Sequence, residues 1–264
     1  MLGLLAVLFV FASPFAARQS TQVSLTPLQA AIQQQQKRLG SGDPEEKRDA
    51  LMRLAELHHA SASTAAASAL DDPTPLVRVA AANAVLWLPP DESARLIIPL
   101  LKDKVEFVRQ EAAYALGKTH SRLAAAPLVE FLAIEKLSGP RAAAVVSLGL
   151  LKDEGGVVVL SRLIAPELGS SAGEKKKSRL EQNEFVLRAA ARSLGQIRSK
   201  AGVPALTSLL ANEKAPIDAR REAAVALGII GDPSATNALR SQLSSPDPYL
   251  ARAAYESLRK LQSN

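Results

Sequence analysis

The chain has 264 residues and a formal net charge of +6, with 47% hydrophobic, 22% charged and 4% aromatic residues. Alanine and leucine contribute 87 of the 264 residues, and these strong helix formers argue against strand-rich folds, which favour β-branched and aromatic residues. With 14 glycines, 16 prolines and no cysteine, the chain is neither collagen-like nor a disulfide scaffold, and its length suffices to bury a sizeable core.

The first segment predicts an export signal. Residues 1–17 carry no charge, and an apolar run broken only by one glycine extends from Leu2 to Ala12. This run is too short for a transmembrane helix, which needs about 20 residues, but it is typical of a secretory signal peptide. A short hydrophobic first helix is the alternative, and an uncleaved segment would anchor the protein. We therefore expect an exported protein, periplasmic or secreted, with a linker and a capping helix over 18–42.

The capping helix is predicted from its two ends. Thr26 and Pro27 have the pattern of an N-cap and first turn, and Gly40 has the pattern of a stop. We expect an amphipathic helix over 27–39, with Leu28, Ile32 and Leu39 facing the stack and residues 33–38 mostly facing water. Such a helix would cover the apolar face that the first unit of a repeat stack otherwise exposes.

An internal repeat occupies residues 43–262. Leu-Gly pairs recur at 116–117, 148–149, 194–195 and 227–228, spaced by 32, 46 and 33 residues. Arginines recur at Arg48, Arg78, Arg109, Arg141, Arg188, Arg220 and Arg252, spaced by 30, 31, 32, 47, 32 and 32 residues. Because the long interval is the same in both series, it contains an insertion of about 14 residues, near 165–181.

Each unit has the pattern of two helices, an Ala-rich first helix and a shorter, Leu-rich second helix. The glycine near the end of the first helix suits a left-handed C-terminal residue. Prolines at 99, 127 and 204 predict second helices that start late or bend, because only the first turn tolerates proline. Six units, near 43–70, 72–101, 103–132, 138–164, 182–211 and 215–243, precede a capping helix at 248–262.

These units resemble HEAT repeats, and more narrowly the short HEAT-like repeats of phycobilin lyases. The resemblance covers roughly residues 43–262 and rests on Asp-Pro junctions, on the Val-Arg pairs at 77–78 and 108–109, on the alanine runs and on the Leu-Gly ends. It implies an all-α fold, a right-handed α-solenoid of stacked helical hairpins. It says almost nothing about function, because one fold serves many functions.

Only residues that differ between units can distinguish one ligand from another. We expect Arg78, Arg109, Arg141 and Arg220 to be structural and to pair with an aspartate or a carbonyl of a neighbouring turn. The resemblance places the second helices on the concave face. Aligning them on their last leucine puts there Arg95, Ile98, Val129, Glu130, Ser161, Arg162, Thr207, Ser208, Arg240 and Ser241.

Arg95, Glu130, Arg162, Ser208 and Arg240 are therefore candidate partner-binding residues, with plain solvation of a helix face as the alternative. This polar, mildly basic set suits the binding of a protein or a peptide, including an acidic one. The insertion carries Lys175, Lys176, Lys177 and Arg179. They would contact an acidic partner or an anionic membrane or envelope surface, or else belong to a tolerated insertion.

Enzymatic motifs are missing from the sequence. There is no cysteine nucleophile, no Gly-rich phosphate loop and no nucleophile elbow. His58 and His59 are adjacent, so on a helix they point about 100° apart and cannot form an i, i+4 metal pair. We expect no catalysis, no metal and no cofactor.

Two other binding functions share this repeat: a HEAT-like nucleic-acid-binding protein and a phycobilin-lyase-like chromophore chaperone. The pI near 9.6 favours the first, but a charge of +6 is a weak field and base stacking needs aromatic residues. Trp87, the one tryptophan, lies in a Leu-Trp-Leu setting that predicts a core position. An export signal disfavours both alternatives. The sequence therefore favours a non-catalytic scaffold that binds another protein on its concave face.

Overall fold

The computed structural model describes residues 25–164 and 184–263. Within these ranges the chain forms fourteen α-helices and no strand. The predicted leader at 1–17 and the basic insertion with Lys175, Lys176, Lys177 and Arg179 lie outside the described residues. None of the described helices combines the length and the apolarity that crossing a membrane requires.

Helix α1 (Pro27–Leu39) begins with a capping box. The Thr26 hydroxyl accepts a hydrogen bond from the Gln29 amide at 3.2 Å, and the Gln29 side chain accepts one from the Thr26 amide at 2.9 Å. This exchange satisfies two backbone donors that a helix start leaves open. Ile32 is buried, Leu28 and Leu39 are partly buried against the core, and α1 packs on the next helix. The predicted helix and the face that it turns to the stack are confirmed.

Six helical hairpins follow, each with a first and a second helix. The first helices are α2 (Pro44–Glu56), α4 (Pro75–Ala84), α6 (Glu106–Lys118), α8 (Ser138–Leu151), α10 (Glu184–Ile197) and α12 (Ile217–Ile230). The second helices are α3 (Ala60–Ala66), α5 (Pro90–Ile97), α7 (Ala125–Ile134), α9 (Val157–Ile164), α11 (Val203–Ala211) and α13 (Thr236–Ser241). Helix α14 (Pro248–Ser263) follows the sixth hairpin. The predicted all-α solenoid of stacked hairpins is confirmed.

The prolines of the second helices lie at helix boundaries. Pro127 is in the first turn of α7, and Pro204 is in the first turn of α11. Helix α5 ends at Ile97, and Pro99 lies in the 3-10 turn Ile98–Lys102 that follows it. The helices therefore start late at two of these prolines and stop before the third, because proline cannot donate the interior backbone hydrogen bond.

Small residues let the first helices lie side by side. Helix α6 packs on α8, α8 on α10, α10 on α12 and α12 on α14, whereas consecutive second helices touch less. Seven first-helix positions that are equivalent from unit to unit hold a buried alanine: Ala50, Ala81, Ala112, Ala144, Ala190, Ala223 and Ala254. The concentration of alanine in the first helices is therefore a packing requirement.

The predicted role of the Leu-Gly glycines is wrong. Gly117, Gly149, Gly195 and Gly228 lie inside α6, α8, α10 and α12 and are buried. The residues with positive φ come three positions later instead: His120, Lys152, Arg198 and Gly231. A Cβ added to Gly117 would lie 2.6 Å from the Ser147 hydroxyl oxygen of the neighbouring first helix. These glycines are needed for close helix contact and not for a left-handed helix end.

Serine residues fill the space that three of these glycines leave, and Ala226 lies against Gly195. Ser147 donates a hydrogen bond to the Ala113 carbonyl at 2.7 Å, four residues before Gly117. Ser193 and Ser257 repeat the arrangement, donating to the Val145 carbonyl at 2.9 Å and the Ala224 carbonyl at 2.8 Å. Each bond joins the first helices of two successive units, so the glycine and the serine form one interlocking contact.

Candidate functional site

The arginines of the first helices are used by the fold itself. Arg78 donates to both carboxylate oxygens of Asp103, at 2.7 and 2.9 Å, and to the Asp72 carbonyl at 2.8 Å. Arg109 donates to the Glu135 carboxylate at 2.6 Å. Arg141 donates to the Leu132 carbonyl at 3.0 Å and to the Glu135 carbonyl at 2.9 Å. Arg220 donates to the Leu210 carbonyl at 3.0 Å and to the Gln242 side chain at 2.9 Å. The predicted structural pairing of these four arginines is confirmed.

The recurring arginines occupy two different positions, which the spacing alone merged into one series. The first position lies seven residues before a fully buried leucine or valine, and it is occupied by Lys47, Arg78, Arg109, Arg141 and Arg220. Arg48 comes one residue later in its helix, and so does Arg221. Lys47 and not Arg48 binds Asp72, at 2.7 Å, and Arg221 and not Arg220 binds Asp247, at 2.9 Å.

The carboxylates that these cations bind have a second role. Each also accepts a backbone hydrogen bond at the start of the next first helix. The donors are the Thr74 amide to Asp72 at 2.8 Å, the Val105 amide to Asp103 at 2.8 Å, the Leu137 amide to Glu135 at 2.9 Å and the Leu250 amide to Asp247 at 2.6 Å. The cation and the carboxylate are 25 or 26 residues apart. We call each set of cation, carboxylate and capped amide a clasp. A clasp joins the beginning of one unit to the beginning of the next.

The clasp carboxylates are held in their charged form. Burial favours a higher pKa for Asp103, but hydrogen bonds from Arg78 and from the Val105 amide outweigh burial and lower the pKa. The same balance lowers the pKa of Asp72 and of Glu135. For Asp247 the hydrogen bond from Arg221 is the main cause of a lowered pKa. These charges are therefore engaged within the fold.

The candidate residues of the second helices form no such bonds. Arg95, Glu130, Arg162 and Arg240 are exposed, and their side chains make no hydrogen bond or ion pair within the described ranges. Ser208 is half-buried. These side chains are therefore available to a ligand.

The buried positions of the second helices define which candidates are equivalent. In the second helices of the second to sixth hairpins, one equivalent position is fully buried: Ile97, Leu128, Leu160, Leu206 and Leu239. The next residues are Ile98, Val129, Ser161, Thr207 and Arg240, and those after them include Glu130, Arg162, Ser208 and Ser241. Arg95 precedes Ile98 by about one helical turn, so it shares the face but not the row.

Two open pockets lie near the ends of units. The first, about 540 Å³, is lined by four apolar and four charged residues: Leu101, Phe131, Ile134 and Leu137, and Lys102, Arg109, Glu135 and Lys136. The second, about 610 Å³, includes Ser208 in its lining and is more polar. The sequence predicted neither pocket, because each is formed by residues from several elements.

Trp87 is not in the core, contrary to the prediction. Its side chain is 48% exposed and its ring lies beside that of His58, with the centroids 4.3 Å apart. The α-helical period ends at Ala84, and the 3-10 turn Val85–Trp87 that follows turns Trp87 outward while Leu88 is buried.

Among the residues described, no group of three or more His, Asp or Glu side chains could hold a metal ion.

Comparison with known proteins agrees with this architecture. A family model described as HEAT repeats matches residues 65–149 and 177–259. The complex of CpcE and CpcF of phycocyanin lyase from Nostoc sp. PCC7120 is similar, with 22% identity, a TM-score of 0.51, and coverage of 96% of this chain and 100% of that chain. This likeness indicates the fold alone.

Two further solved structures are similar at lower scores. Human deoxyhypusine hydroxylase in complex with glycerol has 18% identity and a TM-score of 0.44, covering 88% of this chain and 85% of that chain. A designed armadillo repeat protein has 18% identity and a TM-score of 0.42, covering 87% and 99%. Among curated proteins, no sequence matches this chain.

Proposed function

Because the chain belongs to the HEAT repeat family, we propose that it is a non-catalytic scaffold that binds another protein or a peptide along the exposed face of its second helices. One contrast carries the proposal. The first-helix cations Arg78, Arg109 and Arg220 are bound within the fold, whereas Arg95, Arg162 and Arg240 have no partner among the described residues. Charges that the fold does not use are available for recognition.

Variation between units supports the same face. From the second to the sixth hairpin, the fully buried position of the second helix holds isoleucine or leucine, but the next position holds five different residue types, from Ile98 to Arg240. Repeat proteins present such a row as one continuous surface, on which residues that differ between units set specificity. The three arginines make the surface mildly basic, so we propose an acidic partner.

We also propose that the partner is met outside the cytoplasm, since residues 1–17 have the composition of an export signal. The basic insertion, with Lys175 to Lys177 and Arg179, would add an anion-binding segment. A pull-down should therefore start from periplasmic or envelope extracts. Recovery of a specific partner from the cytoplasmic fraction alone would contradict export.

The test of the binding face is a triple charge reversal, R95E/R162E/R240E. We expect partner affinity to fall at least tenfold in a titration at moderate ionic strength, because rim charges steer association and select partners. The matched control is K118E/R122E/R198E, which changes the net charge equally at exposed residues at or after the ends of first helices. An equal loss in both variants would indicate non-specific attraction, and an unchanged affinity in the first would show that this face is not the binding surface.

A further inference from the structure

The pocket at the junction of the third and fourth hairpins has an apolar wall with unusual exposure. Ile134, the last residue of α7, is 70% exposed, and Leu137 is 43% exposed. Phe131 and Leu101, at 4% and 5% exposure, form the inner part of the lining. The volume is about 540 Å³, enough for one or two large apolar side chains.

The exposed isoleucine results from a difference between junctions. Arg78 and Asp103 are 25 residues apart, but Arg109 and Glu135 are 26 apart, so the third unit carries one additional residue before its clasp carboxylate. The residue directly before that carboxylate is Lys102 in the second unit and Ile134 in the third. An apolar side chain therefore stands where the preceding unit has a charged one, and no described residue covers it.

The rim of the pocket is rigid. The Glu135 carboxylate accepts hydrogen bonds from the Lys136 and Leu137 amides at 2.8 and 2.9 Å. Arg109 holds the other oxygen of this carboxylate at 2.6 Å, and Arg141 donates to the Glu135 carbonyl at 2.9 Å. A rim fixed in this way loses little conformational freedom when a ligand binds.

The surroundings of the pocket are positively charged. Lys102, Lys104 and Lys136, which we call the junction lysines, are exposed and form no ion pair within the described part of the chain. The carboxylates of Asp103 and Glu135, at the two junctions that flank the third hairpin, are already bound by arginines. Two exposed carboxylates offset part of this charge: Glu106, near Gly139 at the start of α8, and Glu130, one helical turn before Ile134 in α7.

From this combination we propose that the pocket binds an acidic peptide segment. A large apolar side chain of the segment lies between Phe131, Ile134 and Leu137, and flanking carboxylates meet the junction lysines. This site goes beyond the proposed scaffold function, because it consists of residues other than Arg95, Arg162 and Arg240. The pocket is open, but its floor at Phe131 and Leu101 is buried, which favours a peptide over a bilayer, since a bilayer offers no single side chain to insert.

The test uses two fluorescein-labelled synthetic peptides with the same Leu-x-x-Phe centre, one flanked by Asp and Glu and the other by Lys. Anisotropy titrations with the full chain should show at least tenfold tighter binding of the acidic peptide. The substitution I134S should weaken it about tenfold, and K102E/K104E/K136E should weaken it further and reverse the preference. The matched control V158S removes an apolar side chain of α9 that is 59% exposed and should leave affinity unchanged.

Circular dichroism of each variant establishes that it is folded. Three results would overturn the proposal: no binding of the acidic peptide by the wild type, equal binding of both peptides, or no effect of I134S relative to V158S. Binding to phosphatidylserine vesicles is measured in parallel. If the protein bound the vesicles but neither peptide, the ligand of the pocket would be a membrane surface and the proposal would be wrong. None of these outcomes bears on the charge reversal of the second helices, so the two proposals fail separately.

Discussion

The Arg78–Asp103 pair is the most enclosed of the clasps, with each side chain only 8% exposed. Removing one partner of a buried pair leaves the other charge without compensation. In the D103A variant Arg78 would lose two hydrogen bonds and the Val105 amide would lose its cap. We expect the free energy of unfolding to fall by about 3–5 kcal/mol, measured by urea denaturation.

The exposed pair Arg252–Glu256, at 77% and 53% side-chain exposure, provides the matched control. Surface pairs contribute little because water and salt screen them, so E256A should leave the unfolding midpoint unchanged. A similar loss in D103A and E256A would mean that enclosure of the pair is unimportant.

For single residues, the sequence predicted which chemical group each arginine binds but not always which basic residue makes the bond. It predicted that Arg78 binds an aspartate or a carbonyl, and both occur. It did not distinguish Lys47 from Arg48, because two adjacent basic residues give the same spacing while only one faces the junction. Burial, which depends on the neighbouring helix, makes that choice.

Among the helices, the contact between a glycine and a serine determines how closely two first helices approach. In an isolated helix, replacing glycine by alanine is favourable by about 1 kcal/mol. In G117A the new Cβ would lie 2.6 Å from the Ser147 hydroxyl and 2.8 Å from its Cα, and such overpacking costs about 1–3 kcal/mol. We therefore expect a net loss of stability in thermal unfolding, partly restored in G117A/S147G.

Gly42 supplies the comparison, because a Cβ there meets nothing within 4 Å. G42A should be neutral or slightly stabilising. A more stable G117A would show that the first helices can move apart at no cost.

The helices themselves were predictable from periodicity, but the role of these glycines was not. A glycine close behind an alanine run fits both a left-handed helix end and a close contact. Helix α6 continues to Lys118 and α8 to Leu151, so the left-handed residues are His120 and Lys152. Only the packing of the next unit distinguishes the two roles.

Over the whole molecule, the clasps predict sensitivity to acid. Each clasp carboxylate, in Asp72, Asp103, Glu135 and Asp247, has a lowered pKa in the folded state. Their stabilisation is therefore complete above the unfolded-state pKa, about 4, and is lost as the pH falls below it towards the folded-state values. The urea midpoint should be nearly constant from pH 7 to 5 and should decrease steeply below pH 4.

The variant D72N/D103N separates the clasps from other carboxylates. It should be less stable than the wild type at pH 7 and should lose less on acidification. If both proteins lost stability equally between pH 5 and pH 3, the clasps would not be the cause.

The architecture of the whole chain followed from spacing because every unit repeats the same buried positions. The binding surface followed less completely. Arg95, Glu130, Arg162 and Arg240 could be assigned to exposed helix faces, since exposure follows from periodicity. The pocket around Ile134 depends on one additional residue at one junction, and its consequence appears only when the third and fourth hairpins are packed together.

The clasp has a consequence for how such a protein changes length over generations. It relates residues 25 or 26 positions apart and does not depend on how many units stand on either side. Asp72 and Asp103 each bind a cation from their own unit and cap the helix that follows. Duplication or deletion of the segment between such equivalent aspartates would leave every local contact of this kind intact. The bond that stabilises a unit therefore does not tie that unit to one place in the stack, and we expect a gain or loss of such units to preserve this contact.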